Sequence, residues 1–92
     1  MIVRIATEGQ FELDAGDAQE LRELDEKAVD QCAAGDEEIF TATFAQMLAL
    51  VRSHGRPLAE DELVASDVIL PPPDTSFVEA QREFTGEGLI PD

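Results

Sequence analysis

The amino-acid sequence predicts an α+β fold, a small two-layer domain in which an N-terminal β-hairpin packs on an antiparallel helical hairpin. Three patterns support this fold class. Two short apolar segments flank a turn near the N-terminus, two segments with helical spacing of apolar residues meet at Gly35, and an apolar segment then runs into prolines. A chain of 92 residues can bury one modest core. We therefore expect residues 1–92 to form a single domain.

The hairpin is predicted from two strands, over residues 2–5 and 10–13. In the second strand, Phe11 and Leu13 alternate with polar residues, so one face should be buried and the other solvated. Gly9 closes the connecting turn, where it supplies a backbone conformation with positive φ.

The first helix is predicted to start at Asp17, because Asp17 and Glu20 fit a capping box. Gly35 should end this helix, since glycine adopts the left-handed conformation common after a helix C-terminus. The apolar residues between these positions fall on one stripe, at spacings of three and four. They are Leu21, Leu24, Ala28 and Cys32.

The second helix is predicted over residues 37–53, with Asp36 as its N-cap. Its apolar arc is wider than that of the first helix, which places it in the core. Arg52 and His54 at its C-terminus complement the helix dipole. The arc contains Phe40, Phe44, Met47, Leu48 and Val51, and the five phenylalanines of the chain are expected to fill the core.

The last third of the chain is built around prolines. Residues 67–70 are expected to add a third strand, because the prolines that follow disfavour helix at Leu70. Ser76 and Glu79 then form a second capping box, which predicts a short C-terminal helix. The chain closes with a second proline-ended segment, residues 88–92.

The charge of the chain restricts its partners. A net charge of −15 repels the phosphates of nucleic acids and the headgroups of anionic lipids, so direct binding of either is disfavoured. Two interpretations of this acidity remain open and are compatible. It is either an adaptation to a salty cytosol or a surface that attracts a basic partner. No apolar run is long enough to cross a bilayer and no signal pattern opens the chain, so we expect a cytoplasmic protein.

Groups that perform catalysis are scarce in this sequence. The chain has one histidine and one cysteine. His54 is expected to cap a helix, and Cys32 to be a buried, unreactive thiol. The acidic clusters lack the alternating ligands and glycine of a calcium loop, and neither a glycine-rich phosphate loop nor a paired-cysteine zinc motif is present. The sequence therefore predicts a protein without catalytic residues, metal or cofactor.

Six segments, in their order and spacing, resemble the PspA-associated protein family (PspAA). They are Met1–Ile5 with Glu8–Phe11, Leu48–Arg52 with Gly55–Leu58, Ser66–Pro72 and Glu87–Pro91. The resemblance implies a compact domain that binds or regulates phage shock protein A (PspA), an ESCRT-III-like coiled-coil protein of the membrane stress response. Contact with the inner face of the membrane would then be indirect, through this partner. The alternative is an acidic decoy that imitates nucleic acid and blocks a DNA-binding regulator.

A protein-binding surface is predicted where the hairpin turn and the two proline-ended segments lie. Glycines and prolines limit pairing between strands, so backbone groups and apolar side chains there remain available to a partner. A second interpretation is that Leu89 and Ile90 close the core and the prolines only turn the chain. The predicted surface comprises Gly9, Gln10, Pro71, Pro72, Leu89, Ile90 and Pro91.

Overall fold

The computed structural model describes residues 1–90 and confirms the α+β fold, with a four-stranded sheet and three helices. The strands lie in the order β3–β2–β1–β4. The predicted hairpin and third strand are confirmed, and β3 is an additional short strand that the sequence pattern did not predict. In chain order the elements are β1 (Ile2–Ile5), β2 (Gly9–Glu12), α1 (Ala15–Ala34), α2 (Glu37–His54), β3 (Arg56–Pro57), β4 (Val68–Leu70) and α3 (Phe77–Glu83).

The sheet has one covered face and one open face. β1 pairs with β2 in antiparallel and with β4 in parallel orientation. Side chains alternate between the two faces of a strand. Val3, Ile5 and Leu70 are accordingly buried in the core shared with the helices, whereas Arg4 and its neighbour Ile69 are exposed on the other face.

A long connection crosses the open face, because β3 and β4 lie at opposite edges of the sheet. We call residues 58–67 the crossing segment. Its anchor is the Gln10 side chain, whose amide donates hydrogen bonds to the Val64 carbonyl at 2.9 Å and to Ser66 Oγ at 2.8 Å. The segment carries Leu63 with its side chain fully in solvent.

The start of α1 differs from the prediction. The N-cap is Asp14, whose Oδ1 accepts a hydrogen bond from the Asp17 N–H at 2.8 Å, so the capping box predicted at Asp17 and Glu20 is wrong. Asp14 has the extended backbone that an N-cap requires, and Asp17 becomes a first-turn acid that complements the helix dipole. The predicted end at Gly35 is confirmed by its φ of 72°.

The core joins the sheet to both long helices and to α3. The predicted apolar stripes of α1 and α2 are buried, which confirms the role assigned to them. Phe40 lies at the centre of an aromatic cluster that attaches α3 to α2, with ring centroids 5.3–5.7 Å from three other rings. These rings belong to Phe44, Phe77 and Phe84. Ser76 caps α3 as predicted, since its Oγ accepts from the Glu79 N–H at 3.2 Å, whereas Glu79 Oε1 accepts from Ser76 Oγ and not from its backbone N–H.

Candidate docking surface

The structure brings four of the predicted residues to one end of the sheet. Ile5, the last residue of β1, pairs with Gly9 on one side and with Leu70 on the other. The hairpin turn and the proline segment therefore flank the same strand end. The four residues are Gly9, Gln10, Pro71 and Pro72.

Within this group, Gln10 is largely occupied by its own chain. Its side-chain amide anchors the crossing segment, and its carbonyl accepts a hydrogen bond from the Leu58 N–H at 3.0 Å. A groove of about 620 Å³ lies beside it, between the hairpin turn and the start of the crossing segment. This groove contains charges of both signs, since Arg4, Glu8 and Glu60 all line it.

The second proline-ended segment lies elsewhere, against α1. The Asp25 carboxylate accepts hydrogen bonds from the backbone N–H groups of Leu89 and Ile90, at 3.0–3.1 Å. Ile90 is 3% exposed and Leu89 is partly buried, both in contact with the core. Ile90 therefore closes the core, as the second interpretation expects, and its side chain is not available to a partner. Pro91 lies outside the described residues.

Asp25 is a buried structural residue whose role the sequence reasoning missed. It is 2% exposed, in a helix whose other acids are mostly at the surface. A signal was present, because Asp25 lies four residues after Leu21 and three before Ala28, on the apolar stripe itself. A buried carboxylate requires hydrogen-bond donors. The backbone of residues 88–90, which we call the closing segment, provides them.

Three ion pairs within residues 1–90 join cations of α2 and β3 to acids of the hairpin and of α1. Arg52 binds Glu8 in the hairpin turn, and this hydrogen bond lowers the pKa of the Glu8 carboxyl and raises the pKa of Arg52. His54 Nδ1 lies 2.9 Å from Asp17 Oδ1, and the hydrogen bond to Asp17 raises the pKa of the imidazole. The third pair in residues 1–90 joins the neighbouring strands β2 and β3, with 3.0 Å between Arg56 and Glu12.

A second groove, of about 590 Å³, lies between β4, the proline turn and α3. We call it the β4–α3 groove. Its apolar wall includes Ile69, Pro71 and Pro72, and its acidic wall consists of Asp74, Glu79 and Glu83. Its size is within the range of sites that hold a small ligand or a few side chains of a partner.

Cys32 and His54, the cysteine and the histidine of the chain, both have contacts within the domain. Cys32 is buried in the core, and burial raises the pKa of its thiol. His54 is engaged with Asp17 at the end of α2. Within residues 1–90, no group of three or more His, Cys, Asp or Glu side chains is arranged to hold a metal ion. None of the helices in this range is long and apolar enough to cross a membrane.

The fold and its surface define a small acidic α+β domain with open grooves at one end of its sheet. Comparison with protein families shows to which family this domain belongs. A model of the family described as PspA-Associated protein matches residues 1–92, and the chain belongs to that family. The family name associates its members with PspA. Neither the curated proteins nor the solved structures contain a match to this chain.

Proposed function

We propose that this chain is a non-enzymatic partner that binds and regulates a PspA-type coiled-coil protein in the membrane stress response. The observation that supports this function best is the family match over the full chain. The surroundings of the reactive side chains agree with it. Cys32 is a buried thiol with a raised pKa, so it is not prepared as a nucleophile, and the hydrogen bond between His54 and Asp17 joins the end of α2 to the start of α1.

The acidity of the chain suggests how it reaches its partner. With 21 acidic and 6 basic residues, the domain is repelled by anionic lipid headgroups and by nucleic acid. A basic surface on a protein partner would instead attract it and speed association. In this proposal the protein is cytoplasmic and contacts the inner face of the membrane only through PspA.

A sizing column tests the proposal directly. The purified chain and a purified PspA-type protein, mixed at some tens of micromolar in about 0.15 M NaCl, should elute together earlier than either component. Separate elution would contradict the proposed function. Capture of a DNA-binding regulator from the native extract, in place of PspA, would favour the acidic decoy.

A further inference from the structure

The β4–α3 groove differs from the rest of the candidate surface in its charge. Asp74, Glu79 and Glu83 line it, and none of the ion pairs within residues 1–90 includes any of the three. By contrast, the groove beside Gln10 contains Arg4, and its Glu8 is already paired with Arg52. The β4–α3 groove is therefore a concave surface with uncompensated negative charge.

Two of these carboxylates repel each other within one helix. Glu79 and Glu83 are four residues apart in α3, so they lie on the same face, one turn apart. Like charges at this spacing destabilise a helix. A bound cation would relieve this repulsion, which makes the acidic wall better suited to a complex than to the free domain.

The apolar residues of the groove offer hydrophobic contact, and its prolines resist pairing with another strand. Ile69 is 59% exposed at the edge strand β4 and lines the groove, so a large apolar side chain is available to a partner there. Pro71 and Pro72 follow directly and have no N–H groups, so they prevent the edge from being extended into a longer ladder. A partner at this edge must therefore be recognised chiefly through side chains.

We propose that the β4–α3 groove binds a segment of the coiled-coil partner that presents an apolar side chain flanked by lysine or arginine. The apolar side chain contacts Ile69 and the prolines, and the cations pair with Asp74, Glu79 and Glu83. This assignment rests on the proposed function, because it places the same partner on a particular surface. It replaces the closing segment, whose Ile90 is buried, as part of the docking surface.

Charge reversal tests the acidic wall. The double variant Asp74→Lys with Glu83→Lys leaves the hydrogen bonds between Ser76 and Glu79 intact and places a cation one turn from Glu79. It should fold at least as stably as the wild type, which a circular-dichroism melt will check, because a repulsive pair becomes an attractive one. The matched control, Glu23→Lys with Asp30→Lys, makes the same change of charge at exposed positions of α1.

Titration calorimetry with the purified PspA-type protein distinguishes the outcomes. The groove variant should bind about tenfold or more weakly than the wild type, and the α1 control within about threefold of it. Equal losses in both variants would show an effect of net charge alone and overturn the assignment, as would a loss confined to the α1 control. Absence of binding by the wild type would instead contradict the proposed function itself.

A second pair of variants tests the apolar wall without a change in charge. Ile69→Ser removes the exposed side chain at the groove, and Leu63→Ser removes a more exposed one from the crossing segment. Neither side chain is in the buried core, so both variants should fold. We expect Ile69→Ser to weaken binding by about fivefold or more and Leu63→Ser to leave it unchanged. Unchanged binding by Ile69→Ser would overturn the assignment even if the charge variant failed to fold.

Discussion

Substitution of Asp25 by alanine should destabilise the domain more than substitution of any other acid described here. Its buried carboxylate accepts hydrogen bonds from the N–H groups of Leu89 and Ile90, which have no other partner within residues 1–90. Hydrogen bonds to a charged group contribute about 1.5–3 kcal/mol each, so both together set an upper value of about 3–6 kcal/mol. If the closing segment instead detaches in the variant, its N–H groups bind water. The loss of unfolding free energy is then limited to what the burial of Ile90 and part of Leu89 contributes. Full burial of one such side chain is worth about 1.5–3 kcal/mol.

These limits place the expected loss for Asp25→Ala at about 2–4 kcal/mol, out of roughly 5–14 kcal/mol for a domain of this size. Urea unfolding followed by circular dichroism measures it. The control is Glu26→Ala, because Glu26 is the exposed neighbour in the same helix and should change stability by less than about 0.5 kcal/mol. A loss below about 1 kcal/mol for Asp25→Ala would refute the proposed role of the carboxylate.

A double-mutant cycle with Gly88 tests the same geometry independently. Gly88 has a φ of +85°, and a Cβ at this position would lie 2.4 Å from Asp25 Oδ2. Gly88→Ala should therefore be destabilising in the wild type, both from the clash and from the backbone conformation. In the Asp25→Ala background the clash is absent, so the loss of unfolding free energy caused by Gly88→Ala should be smaller by about 1 kcal/mol or more. Additive effects would show that the two residues do not meet as the structure places them.

Three further predictions concern titration, thiol reactivity and salt. The hydrogen bond to Asp17 raises the pKa of His54 above 6.5. The wild type should therefore be more stable than His54→Gln below pH 6.5, and this advantage should decline as the pH rises through the folded-state pKa. Urea midpoints that differ by the same amount at about pH 5.5 and 8.5 would contradict this prediction. Cys32 should react with a thiol reagent slowly in the folded protein and rapidly in urea, so rapid native labelling would contradict its burial. If the net charge of −15 is an adaptation to salt, the melting temperature should rise between about 0.1 M and 1 M NaCl, and a flat or falling profile would reject that interpretation.

Local signals in the sequence were sufficient to predict most elements of the fold. Gly35 and the Ser76–Glu79 pair act within a few residues of their own positions, so the helix ends that they specify could be recognised directly. The start of α1 was misassigned because Asp14 and Asp17 are both good capping residues, three positions apart. The choice between them depends on where β2 ends and the chain turns, which a local pattern does not contain.

The candidate surface was harder to predict because it depends on contacts between distant residues. In the sequence, Gln10 is an ordinary polar residue of a strand, and nothing there reveals that it anchors the crossing segment. Likewise, the local pattern around Asp25 does not reveal that its carboxylate anchors the closing segment. The partners lie more than fifty residues away along the chain. The β4–α3 groove has the same origin, since α3 reaches β4 only after the chain has folded. Proline placement located one wall of this groove, whereas its acidic wall required the structure.

Hydrogen–deuterium exchange of the domain, with and without a purified PspA-type protein, tests the central claim most directly. The claim is that the domain acts by docking to this partner through the β4–α3 groove. Exchange should slow in residues 69–83 on addition of the partner, while the amides of α1 keep their rates. Unchanged rates throughout the domain would contradict the proposed function, and slowing confined to α1 would contradict the docking surface.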